Sequence, residues 1–222
     1  MYPAGYFGYF QIYWFIVHLF YCIALYTTLE MTVIGLCGRK RSGKNTVANI
    51  MRRILESEGY KVQEFAFGDC LKEMVCDRYK LSMDVFSDAQ KDAPLPNFPS
   101  VTPRDLCLLV GDKERSADDE IFVKLLDKKI QACIGDPKLV ILVTDVRLNI
   151  EANLILSYLC SGIVFIDADR RLPPMEENAH PTETEMQEVR KRCFATVVNN
   201  NLSENVEEDL KDSVLTILLT FF

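Results

Sequence analysis

The chain has 222 residues, 49% of them hydrophobic and 26% charged, with a formal net charge of −7. That suits one globular domain with a sizeable core and a small inserted or mobile part, and the acidic balance excludes a protein that coats nucleic acid through its overall field. Eight cysteines, at 22, 37, 70, 76, 107, 133, 160 and 193, form no Cys-x-x-Cys pair, so they read as reduced core residues in a cytosol-like compartment; the two histidines are too few for a metal cluster.

Residues 1–29 contain no Asp, Glu, Lys or Arg. Tyr6 to Leu29 is dense in Phe, Tyr, Ile and Leu and long enough to cross a bilayer, which takes about 20 apolar residues. Its tyrosines, Trp14 and His18 make it less oily than an ordinary span, and it lacks the basic start of a signal peptide. Met31 opens the first strand directly. We read residues 1–30 as an extension dispensable to the domain at 31–222; a membrane anchor is the second reading.

Thr32 to Cys37 is an apolar run. It leads into Gly38-Arg39-Lys40-Arg41-Ser42-Gly43-Lys44-Asn45-Thr46, and Val47, Ile50, Met51, Ile54 and Leu55 then recur at helical spacing. A buried strand, a glycine-bounded loop and an amphipathic helix are the setting of a phosphate-binding P-loop. The glycines let backbone N–H groups point at one anion, the helix start adds about half a positive charge, and Lys44 reaches the outer phosphates. The hydroxyl expected directly after the lysine arrives one position later, at Thr46, with Asn45 between.

The helix from Lys44 should stop at Gly59. Lys61–Phe67 reads as a second strand, followed by a helix through about Lys80 with Asp69 as its N-cap. Residues 93–100, rich in proline, form a rigid loop beside a substrate cleft. Thr102-Pro103 starts another helix, with Arg104 in its first turn against the dipole, a place suited to an anionic ligand. A further helix is expected over 117–133. Lys138 to Asp145 is a strand buried on both faces, and Asp145 emerges at its carboxyl end, where open α/β sheets bind ligands, with Arg147 two residues on. A helix over about 149–160, a strand at 163–166, a polar lid over about 168–184 carrying Arg170 and Arg171, a helix at 184–192 and a strand at 195–198 follow. Ser203 is the expected N-cap of the last helix, whose core face is Val206, Leu210, Val214 and Ile217.

Taken together, these segments resemble the deoxynucleoside monophosphate kinases of large DNA viruses and bacteriophages. The Lys-x-Thr form of the P-loop, Phe67-Gly-Asp-Cys-Leu-Lys72, Thr102-Pro-Arg-Asp-Leu106 with Val110-Gly111, Val143-Thr-Asp-Val-Arg147, His180-Pro-Thr-Glu183 and Val198-Asn-Asn200 occur in the family's order. The resemblance implies a three-layer α/β P-loop kinase fold with a central parallel five-stranded sheet, helices on both faces and a mobile lid. It also implies transfer of the ATP γ-phosphate to a deoxynucleoside 5′-monophosphate with Mg²⁺, in the cytoplasm and without nucleic acid as partner; a homodimer is left open. An anchor at residues 6–29 would have to leave this domain on the ATP-containing side of a membrane.

By the same resemblance, Gly38, Arg39, Ser42, Gly43, Lys44, Asn45 and Thr46 would hold ATP, with Asn200 beside the adenine and Thr46 and Asp145 at the metal. Arg41, Lys72, Arg104 and Arg171 would hold the acceptor. Lys44, Asp145, Arg147 and Arg170 would serve the transfer itself. Asn45 replaces the family's usual Asp, and Cys107-Leu108-Leu109 lacks its usual Gln, so base selectivity does not carry over. Animal-type phosphomevalonate kinase is the second resemblance, through the P-loop form, the region 110–122 and the strand ending Thr-Asp-Val-Arg. A non-catalytic, membrane-tethered nucleotide-binding module is the third reading.

Overall fold

The computed structural model describes residues 31–95, 99–173, 181–200 and 205–222, the side chains of 181–184 excepted. The strands are β1 (Thr32–Cys37), β2 (Lys61–Phe65), β3 (Leu139–Val146), β4 (Ser161–Asp167) and β5 (Ala195–Val198). The helices are α1 (Lys44–Ser57), α2 (Phe67–Tyr79), α3 (Pro103–Ala117), α4 (Ile121–Gln131), α5 (Asn149–Ser157), α6 (Pro181–Arg190) and α7 (Val206–Leu218), with a 3-10 turn at Met83–Phe86.

Every residue of β1 is buried, because helices cover both faces of the sheet it centres. Alternation then sorts the aliphatic residues. Val33, Cys37, Ile141, Val143, Ile163 and Phe165 face α2, α4, α5 and α6. Ile34, Leu36, Val140, Leu142, Val164 and Ile166 face α1 and α7. The strands run in the order β2-β3-β1-β4-β5, all parallel, so the expected three-layer α/β architecture with a five-stranded parallel sheet is present. The chain leaves β1 for β2 on one side and later reaches β4 on the other, which makes the carboxyl end of β1 the switch point where such sheets open a crevice. A satellite core of Val75, Leu95, Leu106 and Val110 joins α2, α3 and the proline-rich segment. Leu95 ties that segment down, its N–H donating to the Val101 carbonyl at 2.9 Å.

Several boundaries differ from the sequence reading. Asp69 does not cap α2: the helix begins two residues earlier, after Ala66, because a carboxylate from β3 satisfies its first N–H groups (below), and β2 therefore ends at Phe65. The helix expected over 117–133 starts at Ile121. Ala117 ends α3, and Asp118 adopts an extended backbone and binds Lys124 at 2.9 Å. α5 stops at Ser157 because β4 starts at Ser161, and α6 begins inside the expected lid, at Pro181. The remainder of that lid (174–180), the loop tip at 96–98, Ser203 and Tyr6 to Leu29 lie outside the described residues. Among the described residues, no helix is long and apolar enough to cross a membrane. Cys37, Cys70, Cys76, Cys107, Cys133 and Cys193 are free thiols, the first three of them buried.

Candidate functional site

β1 ends at Cys37 and α1 begins at Lys44, and the loop between them turns on two glycines. Gly38 (φ 152°) and Gly43 (φ 96°) occupy backbone that residues with a Cβ rarely adopt. A Cβ on Gly43 would stand 2.2 Å from Nδ2 of Asn199, and one on Gly38 2.7 Å from the Ile166 carbonyl oxygen. Arg41 is left-handed as well (φ 65°). The Lys44 ammonium folds back over the loop, donating to the carbonyls of Gly38 (2.7 Å) and Arg39 (2.9 Å). α1 has no side-chain cap and no acidic residue in its first turn, so its N-terminal N–H groups suit an anion. Asn45 is exposed and Thr46 half-buried in that turn. Just upstream, Cys37 is held as a thiol, its pKa raised by its hydrogen bond to Cys193 and by burial.

The carboxyl ends of β4 and β5 lock this loop from behind. Asn199 is buried; its Nδ2 donates to the Ser42 carbonyl at 2.8 Å and its N–H to the Asp167 carbonyl at 2.6 Å. Arg171 donates through Nε to the Asn199 carbonyl (3.2 Å) and through Nη2 to the Arg41 carbonyl (2.9 Å). Arg39 donates to the Pro173 carbonyl at 2.6 Å and lies 3.8 Å from Asp169. The Asn200 carbonyl oxygen Oδ1 accepts the Arg170 N–H at 3.0 Å. Thus Arg171, expected at the acceptor, braces the P-loop, and Asn200 fixes the base of the lid. Arg170 is exposed beside them. Arg190, which the sequence did not single out, pairs with Asp167 (2.8 Å) and Asp169 (3.0 Å) and stacks over Phe165.

Across the crevice, Asp145 reaches α2. Its Oδ1 accepts the Phe67 N–H and its Oδ2 the Gly68 N–H, each at 2.8 Å. Gly68 permits this approach, since a Cβ there would meet Oδ2 at 3.1 Å. Burial raises the Asp145 pKa; the two N–H bonds and the Arg147 charge pull it back, and Asp69 opposes them. Glu151, unlike the half-buried Asp145, is a fully buried carboxyl. Its Oε2 accepts the N–H groups of Arg147 (2.8 Å) and Leu148 (3.0 Å), which fixes the turn that carries Arg147. Burial, then the nearby Asp145 charge, pushes its pKa up to about 7. Sequence reasoning missed Glu151, although a glutamate three residues past a helix boundary is a capping signal. It also passed over Asn199, the neighbour of Asn200, which makes the buried contacts to the loop.

A second cationic group gathers beside the P-loop. The Lys40 pKa is lowered chiefly by the Arg104 charge, then by burial and by Arg41, so these three side chains share one region. Arg104 is held by Asp92 through Nε (2.6 Å) and Nη2 (3.3 Å), and its helix is capped by Thr102, which exchanges hydrogen bonds with Asp105. Lys72 pairs with Asp69 one helical turn away at 2.7 Å.

The residues fit a nucleoside triphosphate. The buried Ser42 Oγ and Asn199 Oδ1 find no hydrogen-bond partner among the described residues, and both border a loop whose glycines allow close backbone approach. Among the described residues there is no group of three or more His, Cys, Asp or Glu side chains able to hold a metal by themselves. A divalent ion would therefore depend on phosphate oxygens as well as Thr46, the usual arrangement for Mg²⁺.

No family model matches the chain, and no curated protein matches it. Among solved structures it is similar to an APS kinase from Mycobacterium tuberculosis (13% identity, TM-score 0.44, covering 86% of this chain and 98% of that one). It is similar also to a shikimate kinase from Acinetobacter baumannii solved with shikimate (12%, 0.41, 86% and 94%). A third is a plasmid partition protein from Borrelia burgdorferi bound to AMPPNP (15%, 0.41, 87% and 100%). All three TM-scores are below 0.5, and the functional assignment stands on the residues of this chain.

Proposed function

We propose that the chain is an ATP-dependent phosphotransferase whose acceptor is itself a phosphate, a deoxynucleoside 5′-monophosphate converted to the diphosphate. One observation carries this reading: the Lys44 loop has a second cationic group, Lys40, Arg41 and Arg104, beside it at the same end of the sheet. The loop alone serves a triphosphate; beside it Arg104 is paired with Asp92, and an acceptor phosphate would join that pair next to Lys40 and Arg41. The resemblance to viral deoxynucleoside monophosphate kinases supports that acceptor, and free thiols agree with a cytoplasmic setting.

Lys44 and the loop N–H groups would bind the outer phosphates, and Arg41 and Arg104, with Lys72 at the rim, would orient the acceptor. An acceptor phosphate oxygen attacks the γ-phosphorus in line as the bond to the β-phosphate oxygen breaks. Arg147 and Arg170 neutralise charge as it moves, so the protein supplies positioning and electrostatics rather than covalent chemistry. Thr46 and Asp145 are the residues that would hold Mg²⁺, which would supply further charge neutralisation.

A coupled ADP-release assay on the full chain with each dNMP in turn tests the reading. Turnover is expected with at least one dNMP, and Lys44→Met should lower it by about 10²–10³-fold with the fold intact. Turnover with phosphomevalonate and none with dNMPs would reassign the acceptor. Nucleotide binding without any turnover would make the chain a binding module.

A further inference from the structure

Arg147 lies directly after β3 and two residues before α5. The N-cap of α5 is Leu148, whose side chain has no oxygen to accept the first N–H groups of the helix. Carboxylates take over that task. Glu151 accepts from Arg147 and Leu148, and the next N–H, that of Asn149, donates to Oε1 of Glu185 at 2.7 Å. Glu185 belongs to α6, 36 positions further along the chain. Arg192, just past that helix, closes the other side, its Nη1 donating to the Asn149 carbonyl at 3.3 Å. The α6 segment therefore grips Asn149 at both its N–H and its C=O.

α6 is a firm support for this grip. Met186 and Val189 are fully buried in the core beside β1 and β4. Arg190 pairs with Asp167 and with Asp169, the residue before Arg170, and stacks over Phe165. Glu185 directly precedes Met186, so the anchored helix holds its backbone in place. A cap can be supplied locally, as Glu151 shows. An acceptor reaching over from the helix that also holds the Arg170 turn does more, because it ties the two arginines to one body. Groups that act on a reacting centre need placement within about 0.5 Å, which favours rigid elements over loops.

We propose that Glu185 is a positioning residue: by holding the Asn149 N–H it sets where Arg147 meets the moving phosphoryl group, and α6 thereby fixes the spacing of Arg147 and Arg170. The assignment rests on the phosphotransferase reading above. Glu185 acts through the backbone and needs no contact with substrate.

Glu185→Ala removes the acceptor, whereas Glu185→Gln keeps an oxygen for the same N–H without the charge. Glu185→Ala should lower kcat by about 10–10²-fold, the scale of a small misplacement. The KM for ATP should stay unchanged, and Glu185→Gln should restore most of kcat. In an Arg147→Ala background, Glu185→Ala should have no further effect on kcat, which a double-mutant cycle measures. An undiminished effect in that background would overturn the proposal, as would a lowered Tm with normal kcat. The kinetic comparison uses whichever phosphorylated acceptor turns over. Amide hydrogen exchange needs no turnover and no variant: the Asn149 N–H of the wild type should be protected, although first-turn amides ordinarily open to water. Rapid exchange there would overturn the proposal even if Glu185→Ala fails to fold. Absence of dNMP turnover in the wild type would sink that acceptor alone, and exchange at Asn149 would still decide whether Glu185 holds the turn.

Discussion

The side-chain amide of Asn199 donates to the Ser42 carbonyl across 2.8 Å, joining the end of β5 to the middle of the P-loop. Both groups are buried, so removing the donor strands a carbonyl that water does not reach. Asn199→Ala should cost about 1–3 kcal/mol, read from the urea midpoint. It should also raise the KM for ATP roughly tenfold, the equivalent of about 1.4 kcal/mol. Asn199→Asp should be worse, because it sets a carboxylate oxygen against the carbonyl. An Asp variant as stable as the wild type would mean that the contact does not hold the loop.

The same contact makes Gly43 irreplaceable. Its φ of 96° disfavours any Cβ, and that Cβ would stand 2.2 Å from Nδ2 of Asn199. Two separable costs follow: the left-handed backbone, about 1–2 kcal/mol, and the collision. Gly43→Ala should therefore destabilise strongly, and adding Asn199→Ala should recover the collision part alone. A double-mutant cycle measures this. Strict additivity of the two substitutions would show that they do not touch.

Asp145 takes the capping role that local reading gives to Asp69. It accepts both the Phe67 and Gly68 N–H groups, although the first lies 78 positions away in the chain. Asp145→Asn turns one accepting oxygen into a donor that faces an N–H, for a cost of about 1–3 kcal/mol. Asp69→Ala should lie within about 0.5 kcal/mol of the wild type, since its bond to Lys72 is a partly exposed helix-surface pair. Thermal unfolding of the two variants checks the order, and the reverse order would return the cap to Asp69.

That contrast shows what was legible in the sequence. Five aliphatic residues before Thr144, and the loop between Cys37 and Val47, announce their structure locally, because strand burial and helix periodicity are properties of neighbours in sequence. The parallel sheet and the place of Lys44 were therefore readable. Glu151 is a local cap whose signal was present in the sequence and passed over, whereas Asn199 and Arg190 act through partners in other segments, and no spacing rule encodes which carbonyl a buried amide will meet. Arg171 was recognised as a cation near the phosphates, yet its two bonds to backbone carbonyls depend on how β5 meets the P-loop. Asp69 misled because a plausible local cap was present while the operative one came from β3.

Glu151 gives the fold a pH dependence of unusual sign for a carboxyl group. Its pKa rises from 4.5 to about 7, mainly because burial penalises the charged form. Between those values the unfolded chain has released this proton and the folded chain retains it, so the unfolded state binds fewer protons and stability falls as pH rises. The carboxyl imposes no penalty below about pH 4.5, and its full penalty, at most about 3 kcal/mol, is in place above about pH 7. Both N–H groups converge on one oxygen, Oε2, so a glutamine carbonyl can accept them while remaining neutral. Glu151→Gln should therefore match the wild type near pH 4.5 and exceed it increasingly towards pH 8, in urea midpoints taken across that range. The turn bearing Arg147 should survive in this variant, so its activity at pH 8 should be kept, whereas Glu151→Ala should lose activity at every pH by freeing the turn. A difference between wild type and Glu151→Gln that does not change with pH would show that Glu151 does not titrate in this window.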